Sequence, residues 1–240
     1  IKLSDDEGWR LDIPGLPELT EVGSKRGYTV DERDRLIPMY GSGADGGETG
    51  NGFLSREAFI ELLQYAKVHN VTVIPQISFP SHARAAIVAM EARRKRLMES
   101  GDLAAAEAFA LTDPEDKSTY RTAQLYNDNA INICRESSYN FFEKVVDEIA
   151  EMYAAADSKL TQFNIGADEL PYGVWRESPL CMDNLQPNTT LSDLYDANIF
   201  RLKGILSKHG VLLSGWEDFL LEGSEKSQSE TTIKYEHYNY

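Results

Sequence analysis

Apolar spacing in this sequence switches repeatedly between a period of two and a period near 3.6, and that alternation restricts the possible folds more than any other feature. Short runs with strand character are "IKL" (1–3), "VTVIPQI" (71–77), "LTQFNIGA" (160–167), "VLLSGW" (211–216) and "TTIKYEHY" (231–238). Between them lie helical patterns. Ser55 is a suitable N-cap for "REAFIELLQYAKVH", whose stripe is Phe59, Leu62, Leu63 and Ala66. The stripe of "YNFFEKVVDEIAEMY" is Phe142, Val145, Val146 and Ile149. In "LSDLYDANIFRLKGILSKHG" it is Tyr195, Ile199, Leu202, Ile205 and Leu206, with Gly210 as a stop. Strand following helix in strict alternation implies a parallel sheet with helices outside it, either a barrel or a doubly wound sheet. The first strand begins at Ile1 and the last reaches Tyr240, so the expectation is an excerpt of one longer domain, with no second domain and no internal repeat.

Composition removes several function classes. A formal charge of −15 repels phosphate backbones and anionic lipid heads, which argues against nucleic acid as a partner. With 42% hydrophobic residues the chain can bury a core, yet no apolar run approaches the length of a membrane span and no signal peptide is present at Ile1. The expectation is a soluble piece. Cys134 and Cys181 show no CxxC spacing; they form one bridge or stay free. His69, His82, His209 and His237 lack metal-ligand spacing, so no metal or other cofactor is expected. The Gly-rich segment "GSGADGGETGNG" (41–52) lacks GK[ST] and reads as a loop, and no GxSxG elbow occurs. Sequons at Asn70 and Asn188 permit glycosylation, less readily at Asn70, which directly precedes a core strand.

What remains is a set of acidic and aromatic clusters that each follow a strand: "SDDEGWR" (4–10), "SFPSHARA" (78–85), "GADEL" (166–170) and "GWED" (215–218). In a parallel fold the loops after strands build the active face, so these clusters converge. Neighbouring side chains on a strand point to different sides, so Asp168 and Glu169 can occupy different environments and take different roles. Two carboxylates that face each other across a scissile glycosidic bond fit adjacent residues poorly. An acid that protonates a leaving group, beside an acid that orients the substrate, fits them well. His82 is either a core histidine or the middle of an Asp5, His82, Glu169 chain that tunes the acid. Trp216, flanked by Glu217 and Asp218, is either barrel filling or a wall against which a sugar stacks.

The stretches "LSDDEGWRLDIPGLPELTEVG", "VIPQISFPSHARAA", "FNIGADE" and "SGWED" resemble the successive signatures of glycoside hydrolase family 20, the β-N-acetylhexosaminidases, and above all its chitobiase-like branch. The resemblance runs from Ile1 to about Asp218. It implies an incomplete (β/α)8 TIM barrel, with the visible strands numbered about two to six, and substrate-assisted retaining hydrolysis of terminal β-linked N-acetylglucosamine or N-acetylgalactosamine. By the same resemblance Glu169 is the general acid, Asp168 holds the 2-acetamido group, Asp5 and His82 support the acid, and Trp216, with Glu217 and Asp218, lines the sugar site. The partner implied is an N-acetylhexosamine-containing oligosaccharide such as a chitin fragment, and the compartment is a secreted, periplasmic or lysosomal-type one. Gln76 and Ser78 stand where the family has acids, and Asn164 and Ala167 where it has His and Gly. With no Trp in "TTIKYEHYNY", these departures keep a non-catalytic N-acetylhexosamine-binding homologue as the alternative. A third reading is a hydrolase with facing carboxylates, Glu169 with Asp5 or Glu217.

Overall fold

The computed structural model describes residues 1–45, 47 and 49–220. Four strand segments lie side by side in the order of the sequence. Lys2 bridges to Gln76 and Gln76 to Asn164, both in parallel, and β3 (Gln162–Asn164) pairs in parallel with β4 (Leu212–Ser214). The sequential order, with a helical crossover between each pair, is that of a (β/α)8 barrel wall and not of a doubly wound sheet, whose order reverses at a switch point. The expected strand at 231–238 lies outside the described residues.

Two expected strands are altered. The run at 71–77 carries single bridges instead of a continuous ladder, because Pro75 has no N–H to donate and Val71 and Thr72 are exposed. It is still tied on both sides: Leu3 N donates to Gln76 O at 2.9 Å and Ile77 N to Asn164 O at 3.0 Å. The first run continues into β1 (Ser4–Asp5), which folds back antiparallel on β2 (Gly8–Trp9). The turn between them carries Asp6 and Glu7.

The helices follow the apolar stripes. They are α1 (Glu18–Glu21), α2 (Arg56–Val68), α3 (Arg84–Glu99), α4 (Leu103–Glu107), α5 (Glu136–Ala155), α6 (Pro179–Asn184) and α7 (Leu191–Ser207). Ser55 caps α2 by accepting from Ala58 N, and Thr190 and Asp193 form a capping box on α7. Gly210 takes φ +66°, which favours glycine at a helix exit. Phe142, Val145, Val146 and Ile149 of α5 are fully buried, and the Phe142 ring meets Phe79 and Phe163 edge-on at 5.5 and 5.8 Å. This aromatic stack fixes the strands against the helix layer and so fixes the directions of the strand ends. Cys134 and Cys181 form a disulfide, tying the loop before α5 to α6. Among the described residues no helix is long and apolar enough to cross a membrane.

Candidate active site

Four strand ends meet through hydrogen bonds before any chemistry is considered. Ser78 N donates to Ser4 Oγ at 2.8 Å, Ser81 Oγ to the carbonyl of Asp168 at 2.6 Å, and Trp216 N to the carbonyl of Gly166 at 2.9 Å. The clusters at 4–10, 78–85, 166–170 and 215–218 therefore share one mouth.

At its centre is His82. Its Nδ1 lies 2.8 Å from Asp6 Oδ2, and its Nε2 lies 3.3 Å from Glu169 Oε2 and 3.8 Å from Asp168 Oδ2. The hydrogen bond to Asp6 pushes the His82 pKa up to about 9. Burial opposes this, and the negative charges of Asp6, Asp168 and Asp5 add to it. His82 is thus an imidazolium at neutral pH, donating from Nδ1 to Asp6 and placing its charge at Nε2 in ion-pair range of Glu169 and Asp168. Glu169 is half exposed, at 49% of its side-chain surface, and faces the mouth. It also accepts from Gln124 Nε2 at 2.8 Å.

The geometry corrects one assignment. The carboxylate on His82 Nδ1 is Asp6 and not Asp5, which stands 3.9 Å away and pairs with Lys2 at 2.5 Å. Adjacent residues leave a strand on opposite sides, and here the turn of the β1/β2 hairpin directs Asp6 inward and Asp5 outward. Asp6 is buried and accepts two further bonds, from Arg84 N at 3.1 Å and Asn129 Nδ2 at 3.0 Å. A buried carboxylate needs this many donors to remain charged. Asp5, Asp6 and His82 also present ligand atoms within 4.8 Å of one another. The Asp6 to His82 bond occupies the ring nitrogen that a cation there would need.

Backbone strain gathers at the same point. His82, Ala167 and Glu169 have φ of +50°, +61° and +51°, and Gly166 has +68°. Left-handed non-glycine residues each cost about 1–3 kcal/mol, and such strain collects where side chains must be aimed. Asn164 helps the turn by accepting from Gly166 N at 2.7 Å. Strand ends therefore turn sharply enough to aim Asp168 and Glu169 into one space.

Trp216 is 52% exposed beside that space, offering an indole face. Glu217 and Asp218 sit in the short 3-10 turn after it (Glu217–Leu220). Among the described residues they make no hydrogen bond or ion pair to Asp168, Glu169 or His82. Sequence reasoning missed Asp6, Gln124, Asn129 and Arg84. Asp6 was one position from the chosen residue. Gln124 and Asn129 lie in the polar connection 112–136, where no periodicity marks them. Arg84 is buried in α3, gripping Glu32 at 2.7 Å and Asp128 at 2.9 Å, and so holds two loops behind the Asp6 turn.

The sequence model for the catalytic domain of glycosyl hydrolase family 20 matches residues 1–237. A β-hexosaminidase from Vibrio vulnificus is 42% identical over 91% of the chain, which covers 26% of that protein. An N,N'-diacetylchitobiase from Vibrio harveyi is 49% identical over 70% of the chain and 19% of its own length. Among solved structures, a family 20 exo-β-N-acetylglucosaminidase from Vibrio harveyi in complex with N-acetylglucosamine superposes with a TM-score of 0.72. It is 33% identical, over 94% of this chain and 31% of that one. The chain thus spans about a quarter of the length of the curated relatives it matches first.

Proposed function

The chain belongs to glycosyl hydrolase family 20, and from that premise we propose that it carries the proton-transfer side of an exo-acting β-N-acetylhexosaminidase active site. The substrate class is terminal β-linked N-acetylglucosamine or N-acetylgalactosamine on chitin oligosaccharides or other glycans. The observation that carries the proposal is the line from Asp6 through His82 to Glu169, with Asp168 Oδ2 3.8 Å from the same imidazole nitrogen.

In this reading Glu169, at the open end of the line, gives its proton to the glycosidic oxygen as the bond from C1 to that oxygen breaks. The carbonyl oxygen of the substrate's 2-acetamido group attacks C1 from the opposite face, and an oxazolinium forms. Asp168, next in sequence and deeper, accepts from the acetamide N–H and stabilises the cation that develops there. Water then attacks C1, Glu169 takes its proton, and the sugar leaves with its configuration retained. His82 and Asp6 touch no substrate; they orient Glu169 and place a compensating charge beside it. Trp216 offers a face for the sugar, and Glu217 and Asp218 line its edge.

Residues 1–240 form part of one catalytic domain in this proposal. The disulfide supports a site of action outside the reducing cytoplasm. The test is hydrolysis of a chromogenic N-acetyl-β-glucosaminide by the full-length protein beside its Asp168→Asn variant. Turnover that collapses in the variant, with inhibition by an N-acetylglucosamine thiazoline, is the expected result. A folded wild type that binds N-acetylglucosamine without turnover would overturn the catalytic reading in favour of recognition alone.

A further inference from the structure

Two buried polar atoms beside Gly166 have no hydrogen-bond partner: the Oδ1 of Asp168 and the Nε2 of Gln76. One is an acceptor and the other a donor. A β-carbon placed on Gly166 would lie 3.2 Å from each of them and 3.4 Å from Ser78 Oγ. All three atoms therefore border one small space, which exists only because residue 166 has no side chain, and the two orphans are at most twice that distance apart. Gln76 is held in the middle of the strand wall by bonds on both edges, and Ser78, two residues on, shares its face. A buried amide donor aimed at the same gap as a buried carboxylate oxygen is costly unless the two are joined.

Building on the catalytic reading above, we propose that Gln76 is a positioning residue for Asp168: its carboxamide donates to Asp168 Oδ1, directly or through one water, across the gap left by Gly166. That bond leaves Oδ2 as the oxygen turned to the mouth, where the acetamide N–H arrives. It also explains a neutral side chain at this position. The charged groups beside Asp168 are His82, 3.8 Å from its Oδ2, and Glu169 on the same imidazole nitrogen; Asp5 of the first strand is turned outward and paired with Lys2. The β4 ladder (Leu212–Ser214) brings none. With Asp5, Asp6, Asp168 and Glu169 converging on one imidazolium, a donor without charge fixes Asp168 and adds no repulsion.

The experiment compares wild type, Gln76→Glu and Gln76→Leu in the full-length protein, following kcat, KM and the dissociation constant of N-acetylglucosamine against pH. Gln76→Leu removes the donor; kcat is expected to fall roughly tenfold to a hundredfold with the shape of the pH profile kept. Gln76→Glu supplies an O–H donor only while protonated. Its kcat is expected to approach wild type at acid pH and to fall on an alkaline limb that lies below the wild-type limb, as the two carboxylates lose their shared proton. A side chain that only fills space would not create that limb. Superimposable profiles for Gln76→Glu and wild type, or an unchanged kcat in Gln76→Leu, would overturn the proposal.

Sugar binding separates this idea from the catalytic reading. If wild type binds without turnover, catalysis fails, and Gln76 stands only if Gln76→Glu alone gains a pH-dependent dissociation constant. Flat dissociation constants in all three proteins overturn the Gln76 role, and no sugar binding at any pH overturns both. Should Gln76→Glu fail to fold, Gln76→Leu decides alone through kcat, or through the dissociation constant if wild type does not turn over.

Discussion

Changing Asp6 to Asn removes one buried charge and turns part of an acceptor into a donor. Asp6 Oδ2 accepts from His82 Nδ1 at 2.8 Å and Asn129 Nδ2 at 3.0 Å, while Oδ1 accepts from Arg84 N at 3.1 Å. An amide in either orientation sets its NH2 against at least one of these donors. The two upward influences that Asp6 exerts on His82 are lost or weakened, and the histidine drops from about 9 toward or below its ordinary 6.5. The sign follows from linkage. A histidine whose folded pKa is raised stabilises the fold fully below the unfolded value, and that contribution disappears as the pH rises through about 9. At 1.36 kcal/mol per pKa unit, the Asp6 to His82 coupling is worth roughly 3 kcal/mol on the acid side. The stability gap between wild type and Asp6→Asn should therefore be widest below pH 6.5 and shrink by about that amount toward pH 9 to 10. Urea unfolding over a series of pH values reads this. In kinetics, the alkaline limb of kcat/KM should move from about 9 to 6.5 or below. A limb that stays in place, or a stability gap that does not change with pH, would refute the coupling.

Three further outcomes are expected. Converting Cys134 and Cys181 together to Ser opens a loop with a sequence separation of 47, for which chain entropy gives about 4 kcal/mol; a thermal midpoint within a degree or two of wild type would show that the bridge contributes nothing. Gly166→Ala combines a φ of +68° with a β-carbon 3.2 Å from Asp168 Oδ1, so kcat should fall by at least roughly tenfold while stability falls only about 1–2 kcal/mol; equal kcat would mean the gap does not govern Asp168. Gln124→Leu removes the 2.8 Å bond to Glu169, and a drop in kcat of about threefold to tenfold at constant melting temperature is anticipated. An unchanged kcat there would limit Gln124 to a surface contact.

Much of this molecule is written in local patterns. The stripes of α2, α5 and α7 were readable because a helix that must bury one face repeats apolar residues near 3.6, and Ser55 and Gly210 mark their ends by backbone chemistry alone. The clustering of acids after strands was readable too, since a parallel fold puts all such loops on one side. What spacing could not decide was left to contacts across the chain. Whether Asp5 or Asp6 serves His82 depends on a hairpin turn closed between Ser4 and Trp9, and a shift of one residue reverses the face. The choice of barrel over doubly wound sheet needed the neighbour order of four strands, and the pairing of Cys134 with Cys181 needed the loop path between them. Gln124 and Asn129 gained meaning only when folding placed them beside Glu169 and Asp6, and Gln76, marked in the sequence as a departure, gained a partner only beside Gly166. The sequence by itself determined the long helices α2, α5 and α7 and which strand ends bear charge, because those follow from periods of a few residues. The tertiary structure alone decided which charges meet, because hydrogen bonds form over about 3 Å between residues that the chain keeps tens of positions apart.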